Sequence, residues 1–269
     1  MNIVCIGAHP DDPEFYAGAS LALWAAQGHQ VWSVSLTDGR IGHHVVPPDR
    51  LAPLRAAEVQ EAARRGKYTS RILSFRDGEL EPSLDARKRL VRIIREAKAD
   101  VVLGHRSVDY HPDHRYAGLL LQDAAFMVTV PHFCAETPAL RRNPIFLNMM
   151  DRFTRPAPVR ADLPVDVDAA MDRKWALLDA MESQFYEWLP WLDGRADEVP
   201  PASDPEARLA FLKQYYSPWL NWAAESHRGA LRRWYGARGD DVQFAEVFEV
   251  SEYGRQPDEA ELRALCPAL

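Results

Sequence analysis

Four times in its first 104 residues the chain sets down a short apolar run, and helical stretches fill the gaps, an alternation that leaves few folds open. Asn2–Ile6, Gln30–Leu36, Ser70–Phe75 and Asp100–Gly104 read as strands. The first is almost continuously apolar, as expected of a strand covered on both faces. A helix is expected from about residue 13 to Gly28, with Phe15, Ala19, Leu21, Leu23 and Trp24 as its apolar residues. Leu51–Gly66 turns Leu54, Ala57, Val59 and Ala62 towards a core and stops at a glycine, and Leu84–Ala97 does so with Leu90, Ile93 and Ile94. Strands alternating with helices predict an α/β fold: a Rossmann-like, doubly wound, mostly parallel sheet with helices on both faces. No Gly-x-Gly-x-x-Gly follows any strand, so a dinucleotide would lack its phosphate cradle.

In such sheets ligands sit beyond the carboxyl ends of the strands. The turn after the first strand, His9-Pro10-Asp11-Asp12-Pro13-Glu14, holds a histidine and three carboxylates. Part of it is ordinary helix-start chemistry, with Asp12 as N-cap, Pro13 in the first turn and Glu14 complementing the helix dipole. Capping needs neither His9 nor a second carboxylate. After the fourth strand comes His105-Arg106-Ser107-Val108-Asp109-Tyr110-His111-Pro112-Asp113-His114, ahead of a helix expected over Tyr116 to about Phe126. If the two strands are neighbours, the two turns meet. His9, Asp12 and His114 can then supply two nitrogens and one oxygen, a three-ligand set that leaves a position open in catalytic zinc sites. Zinc bound there would bring a water's pKa towards about 7 and polarise a carbonyl. Asp11 is left free to take a proton, and His111, its ring oriented by Asp113 or Asp109, can stabilise an oxyanion or protonate a leaving nitrogen.

The motifs Ala8-His9-Pro10-Asp11-Asp12 and His111-Pro112-Asp113-His114 resemble the two signatures of the LmbE-like (PIG-L) family of zinc-dependent N-deacetylases, which act on N-acetylglucosamine units. The likeness continues through Thr37-Asp38-Gly39, Arg55 with Glu58, and Asp77-Gly78, and covers residues 1 to about 118. It implies one zinc per chain, or another divalent metal, on His9, Asp12 and His114. It implies Asp11 as general base, His111 as oxyanion or acid residue, Asp113 as its orienter, and Arg55, Asp77 and Asp109 as substrate-binding residues. Later, Lys174–Leu178 leading to Ser183-Gln184 resembles a family helix, with Met181 where many members have histidine, and Phe244–Phe248 resembles the closing strand.

The remainder bounds partners and compartment. A net charge of -7 disfavours nucleic acid, and no apolar run approaches a membrane span. Three cysteines far apart, with no leader pattern, fit the cytoplasm. The expected layout is one domain over 1–269: a catalytic core over 1–165, a helical, Trp-rich extension over 166–240 and a closing strand over 241–250. The proline-rich stretch from Met127 to about Pro164, with one strand at Ile145–Met149, is expected to rim the substrate. Residues 193–207 read as a surface loop, and His43-His44 as part of a mobile, exposed one. The six tryptophans after residue 170 pack helices, meet sugar or fill a homo-oligomer interface. The function expected is removal of an N-acetyl group from an amino sugar. The alternatives are a metal-dependent phosphoesterase, which would usually need a second metal, and a non-catalytic amino-sugar-binding protein.

Overall fold

In the computed structural model, which describes residues 1–266, one sheet of seven strands runs in the order β3-β2-β1-β4-β5-β7-β6. The strands are β1 (Asn2–Gly7), β2 (Gln30–Thr37), β3 (Thr69–Phe75), β4 (Val101–Gly104), β5 (Ile145–Met149), β6 (Leu163–Asp166) and β7 (Ala245–Gly254). The first five pair in parallel, whereas β7 lies antiparallel to both β5 and β6. The first-half helices are α1 (Asp12–Ala26), α2 (Pro48–Gly66), α3 (Leu84–Glu96) and α4 (Pro112–Met127). The second half adds α5 (Met171–Asp179), α6 (Leu189–Leu192), α7 (Pro205–Ser226), α8 (Arg228–Tyr235) and α9 (Glu259–Leu265).

The pleat of β1 explains its unbroken apolar character. Ile3 and Cys5 enter a cluster with Trp24, Leu177 and Phe185, while Val4 and Ile6 enter another with Leu90, Ile94 and Leu120. Both faces are therefore covered by helices. From β1 the chain moves to β2 on one side, and β4 lies on the other, so a crevice opens between the β1 and β4 ends. Ile6 pairs with Gly104, which starts the two histidine-bearing turns at one level.

The second half grips α1 through a buried ion pair. Glu246 on β7 accepts hydrogen bonds from the backbone N–H groups of Ala19 (3.1 Å) and Ser20 (2.7 Å), and Lys174 on α5 pairs with it while donating to Phe15 O at 2.6 Å. Trp24 Nε1 donates to Leu265 O at 2.7 Å. Helix α1, whose first residue is Asp12, is thus fixed from behind.

Several local expectations are corrected. Helix α4 begins at Pro112, because proline suits the first turn and the His111 side chain caps it by accepting from Asp113 N at 3.2 Å. The proline-rich stretch contains β6, a four-residue edge strand in which Pro164 sits on a strand with one partner. Within 193–207, residues 196–198 form a short 3-10 turn and α7 starts at Pro205, where Asp204 accepts from Ala207 N at 3.0 Å.

Close packing also fixes the second turn. A Cβ on Gly118 of α4 would stand 2.5 Å from the Arg106 carbonyl and 2.6 Å from Ser107 N. Gly118→Ala is expected to push α4 off that turn and destabilise the fold by about 1–3 kcal/mol. Urea denaturation checks this, and an unchanged midpoint would show the turn yields freely.

Candidate active site

The first turn is held open by its own backbone and by β2. Thr37 N and Thr37 Oγ1 both donate to Ala8 O at 2.8 Å, Ser35 Oγ donates to His9 O at 3.1 Å, and Asp11 N donates to the same carbonyl at 2.9 Å. Asp12 is not the cap that the sequence suggests. Asp11 precedes α1 with no side-chain cap bond, and Asp12 Oδ2 turns back to accept from His9 N at 2.7 Å.

Around this turn the side chains of both halves of the motif converge. His9 Nδ1 lies 3.1 Å from His114 Nε2 and 3.4 Å from Asp12 Oδ2, and His114 Nε2 lies 3.4 Å from Asp12 Oδ1. The far ring nitrogens face acids: His9 Nε2 is 3.1 Å from Asp77 Oδ1 and 3.4 Å from Asp113 Oδ2, and His114 Nδ1 is 3.2 Å from Asp109 Oδ2. These contacts are not aligned as hydrogen bonds, so both far nitrogens are buried without a formal partner. Three overlapping donor groups result: His9, His111 and His114; Asp12, His105 and His114; His9, Asp77 and Asp113.

This donor set fits a divalent cation. A tetrahedral ion with ligand bonds of about 2.1 Å holds its ligand atoms about 3.4 Å apart, the spacing found among His9, Asp12 and His114. The two imidazoles bring Nδ1 and Nε2 together at 3.1 Å with carboxylates near their far nitrogens, an arrangement that a cation held between them would satisfy. The titration tendencies agree. Burial pulls the His9 imidazole down, but Asp113, Asp12 and Asp77 outweigh it and hold it well above its ordinary value. For His114, burial is likewise outweighed, by Asp12 and Asp109, and the ring is pushed up to about 9. Burial raises Asp12, but His114 and His105 bring it well below the usual carboxylate range. Around the two rings the site favours added positive charge, and Asp12 is held as the anion that would face it.

Asp11 stands beside this set. Its Oδ1 pairs with Arg55 Nη2 at 2.9 Å, burial pushes its carboxyl up, and Arg55 opposes that shift. Arg55, expected to reach substrate, is buried, with Nη2 on Pro10 O at 3.0 Å and Nη1 on Gly39 O at 3.2 Å. Glu58 does not form a surface pair with it. It is buried and accepts from Ser183 N (2.7 Å) and Ser183 Oγ (2.6 Å), which gives the Ser183-Gln184 motif a role in tying the second half to α2. Asp77 and Asp109, also expected to meet substrate, lie against His9 and His114 as described.

His111 is half-buried at the opening, its ring 4.6 Å from that of His9. Burial, with His9 and His114, lowers its pKa. It is oriented differently from the expectation: the Asp113 backbone N–H, not its carboxylate, meets His111 Nδ1. The Asp113 side chain is turned inward, where Oδ2 accepts from Gly78 N at 2.7 Å. Gly78 adopts φ +80°, a conformation glycine takes without strain, to present that N–H.

Sequence reasoning assigned no role to His105. Buried directly after β4, it lies 3.1 Å from Asp12 Oδ2, receives Ala8 N at 3.3 Å and stacks on His114 with centroids 4.2 Å apart. Its place as the first residue beyond a buried parallel strand was the available signal. Glu14 is corrected as well. It is not a solvated helix-start acid but is fully buried, accepting from Ser33 Oγ at 2.7 Å and Tyr68 OH at 3.0 Å. Burial pushes its carboxyl up to about 7 against those two bonds. A folded pKa above the unfolded value makes its stability contribution complete below about 4.5 and lost as pH rises through 7. Glu14→Gln is therefore expected to gain roughly 3 kcal/mol on the parent between pH 4.5 and 8. Urea titrations at both pH values test this, and parallel behaviour of the two proteins would refute it.

A surface cleft of about 760 Å³ is lined by Arg160, Arg233, Trp234 and Arg263 and includes none of these donors. The convergent donors, not cavity size, mark the site.

Residues 4–125, which carry both turns, match the family model PIG-L, described as GlcNAc-PI de-N-acetylase. Over these residues the chain is similar to the PIG-L (LmbE-like) family. Among curated relatives, a diacetylchitobiose deacetylase from Thermococcus kodakarensis is 29% identical over 71% of this chain and 74% of its own length. A 1D-myo-inositol 2-acetamido-2-deoxy-alpha-D-glucopyranoside deacetylase from Catenulispora acidiphila is 30% identical over 52% of each protein, so the chain spans about half of that relative. The fold also matches a solved 4-carboxy-2-hydroxymuconate hydratase, GalB, from Pseudomonas putida KT2440, with TM-score 0.73, 20% identity and coverage of 96% and 99% of the two chains. The same scaffold is thus found in proteins named for different reactions, and the side chains must decide function.

Proposed function

We propose that this chain hydrolyses the N-acetyl group of an N-acetylglucosamine-type amino sugar or its conjugate, using one divalent metal, zinc, held by His9, Asp12 and His114. The observation that carries this is the convergence of His9 Nδ1, His114 Nε2 and the Asp12 carboxylate beside Asp11. The names of the deacetylase relatives support the substrate class. Zinc, when bound, supplies Lewis acidity towards the amide carbonyl and acidifies a water.

The chain's own residues then manage protons and orientation. Asp11 takes a proton from the attacking water as its oxygen bonds the carbonyl carbon, and returns that proton to nitrogen as the C–N bond breaks. Acetate and a free amine result. Burial makes Asp11 a stronger base than a solvated carboxylate, while Arg55 keeps it ionised and fixes Oδ1. His111 serves as a neutral donor: with Nδ1 accepting from Asp113 N, the ring proton resides on Nε2, suited to the developing oxyanion. Asp77 and Asp109 orient the His9 and His114 rings, and His105 supports Asp12.

Acetate release measured across N-acetylglucosamine, diacetylchitobiose, a glycosyl-inositol and a glycopeptide, alongside metal content, tests the reading. Release from at least one, with one zinc per chain, is expected. No release from any, or two metals with phosphoester cleavage, would refute it.

A further inference from the structure

The loop after β2 and the segment after α5 build a second feature that the proposed reaction does not use. Residues 183–188 form a π-helical turn, a distortion common at functional positions. From it Gln184 Nε2 donates to Gly42 O at 3.1 Å, and Glu187 Oε2 meets His43 Nε2 at 2.8 Å. His43 Nδ1 in turn accepts from Val45 N and Val46 N, both at 3.0 Å. The loop expected to be mobile is therefore pinned, and neither His43 nor His44 belongs to a donor group among the described residues.

What the pinning presents is a set of near-parallel rings. His44 stacks on Trp191 at 4.6 Å and 8° and on His43 at 4.7 Å and 15°, and Trp188 lies 5.3 Å from Trp191 at 16°. Trp191 is 45% exposed, and on the loop Ile41 is 54% and Val45 73% exposed. The part of the Trp191 ring left in solvent is a flat apolar surface that suits a flat ligand.

We propose that the exposed face of Trp191, backed by the stacked His44 ring, is a carbohydrate subsite that takes the pyranose ring next to the N-acetyl sugar. Its position supports this. Ile41 N approaches Asp77 Oδ2 at 3.3 Å, and Asp77 touches His9. His44 follows three residues later, at most about 11 Å of backbone from Ile41. Its rim supports it too, since the Glu187 carboxylate, with its side chain 41% exposed, is an acceptor for sugar hydroxyls beside an apolar face. A second copy of the chain is a poorer occupant. A few exposed apolar side chains interrupted by carboxylates fall short of the about 20–30 residues a side of a stable interface.

The inference rests on the proposed amino-sugar activity, and its test separates the two. Trp191→Ala, with Trp191→Phe as the rescue, is compared with the parent for acetate release from N-acetylglucosamine and diacetylchitobiose. Diacetylchitobiose affinity is also measured by calorimetry in an Asp11→Asn background. Trp191→Ala should raise the disaccharide KM and dissociation constant about tenfold, the scale of a lost stacking contact, with kcat and all monosaccharide constants unchanged, and phenylalanine should restore most of it. Equal effects on both sugars, or none, would overturn the subsite. So would a shift from dimer to monomer in sedimentation with the disaccharide constants intact. If the parent releases no acetate from any of the four compounds above, the proposed function fails, and calorimetry still decides the subsite: weaker disaccharide binding by Trp191→Ala supports it, unchanged or undetectable binding refutes it.

Discussion

Asp11→Asn should retain its metal and lose turnover by about 10²–10⁴-fold, the usual worth of a positioned general base. The reason is local. Asn preserves the shape that meets Arg55 Nη2 and leaves His9, Asp12 and His114 untouched, so the cation site and the α1 start survive. What it removes is an acceptor for the water's proton, and no neighbour can substitute: Asp12 is committed to His9 N and His105, and Asp77 and Asp113 lie behind His9. The kcat for acetate release, together with zinc per chain by elemental analysis, reads both halves of the prediction. Near-parental kcat with metal retained would remove Asp11 as the base. Loss of metal would instead place Asp11 among the ligands.

His114→Ala is expected to abolish stoichiometric zinc, and activity with it. Three protein ligands are the minimum of the usual catalytic zinc site, and His114 Nε2 is the donor that bridges the other two at 3.1 and 3.4 Å. Truncation also leaves Asp109 without its ring and exposes the stacked face of His105. His105→Gln should behave differently, weakening metal by about 10–100-fold without abolishing it, because it touches the ligand Asp12 and not the central donors. Dialysis against graded zinc followed by elemental analysis separates the two outcomes. A full complement of zinc in His114→Ala would strike it from the ligand set.

The site's legibility in the sequence was uneven for identifiable reasons. His9 and Asp11 lie in the turn after β1, and Asp12 and His114 in the first turns of α1 and α4, where local pattern and fold topology together point to the crevice. Glu14 and His105 carry the same residue types in the same segments, and only their tertiary partners tell them apart. Glu14 is one helical turn too deep and meets Ser33 and Tyr68, contributed by β2 and by Tyr68 just before β3. His105 reaches Asp12 across 93 residues. Arg55 looks from its spacing like a surface partner of Glu58, yet each is claimed by groups far away in the chain.

The sequence by itself determined the parallel sheet, since apolar runs separated by helices of this length allow little else, and it singled out the two turns whose donor side chains the fold brings together. Elements set by local periodicity emerged within a few residues: β1, β2, β3, β4 and β5 all appear where the pattern places them. Only the tertiary structure decided that β1 and β4 are neighbours, in register from Ile3–Val101 to Ile6–Gly104, so that the turns meet. It likewise decided that Glu246 and Lys174 clamp α1 and that His44 lies on Trp191. Those facts depend on contacts between residues 97 to 227 positions apart, or on the path of one irregular loop, for which no local period leaves a trace.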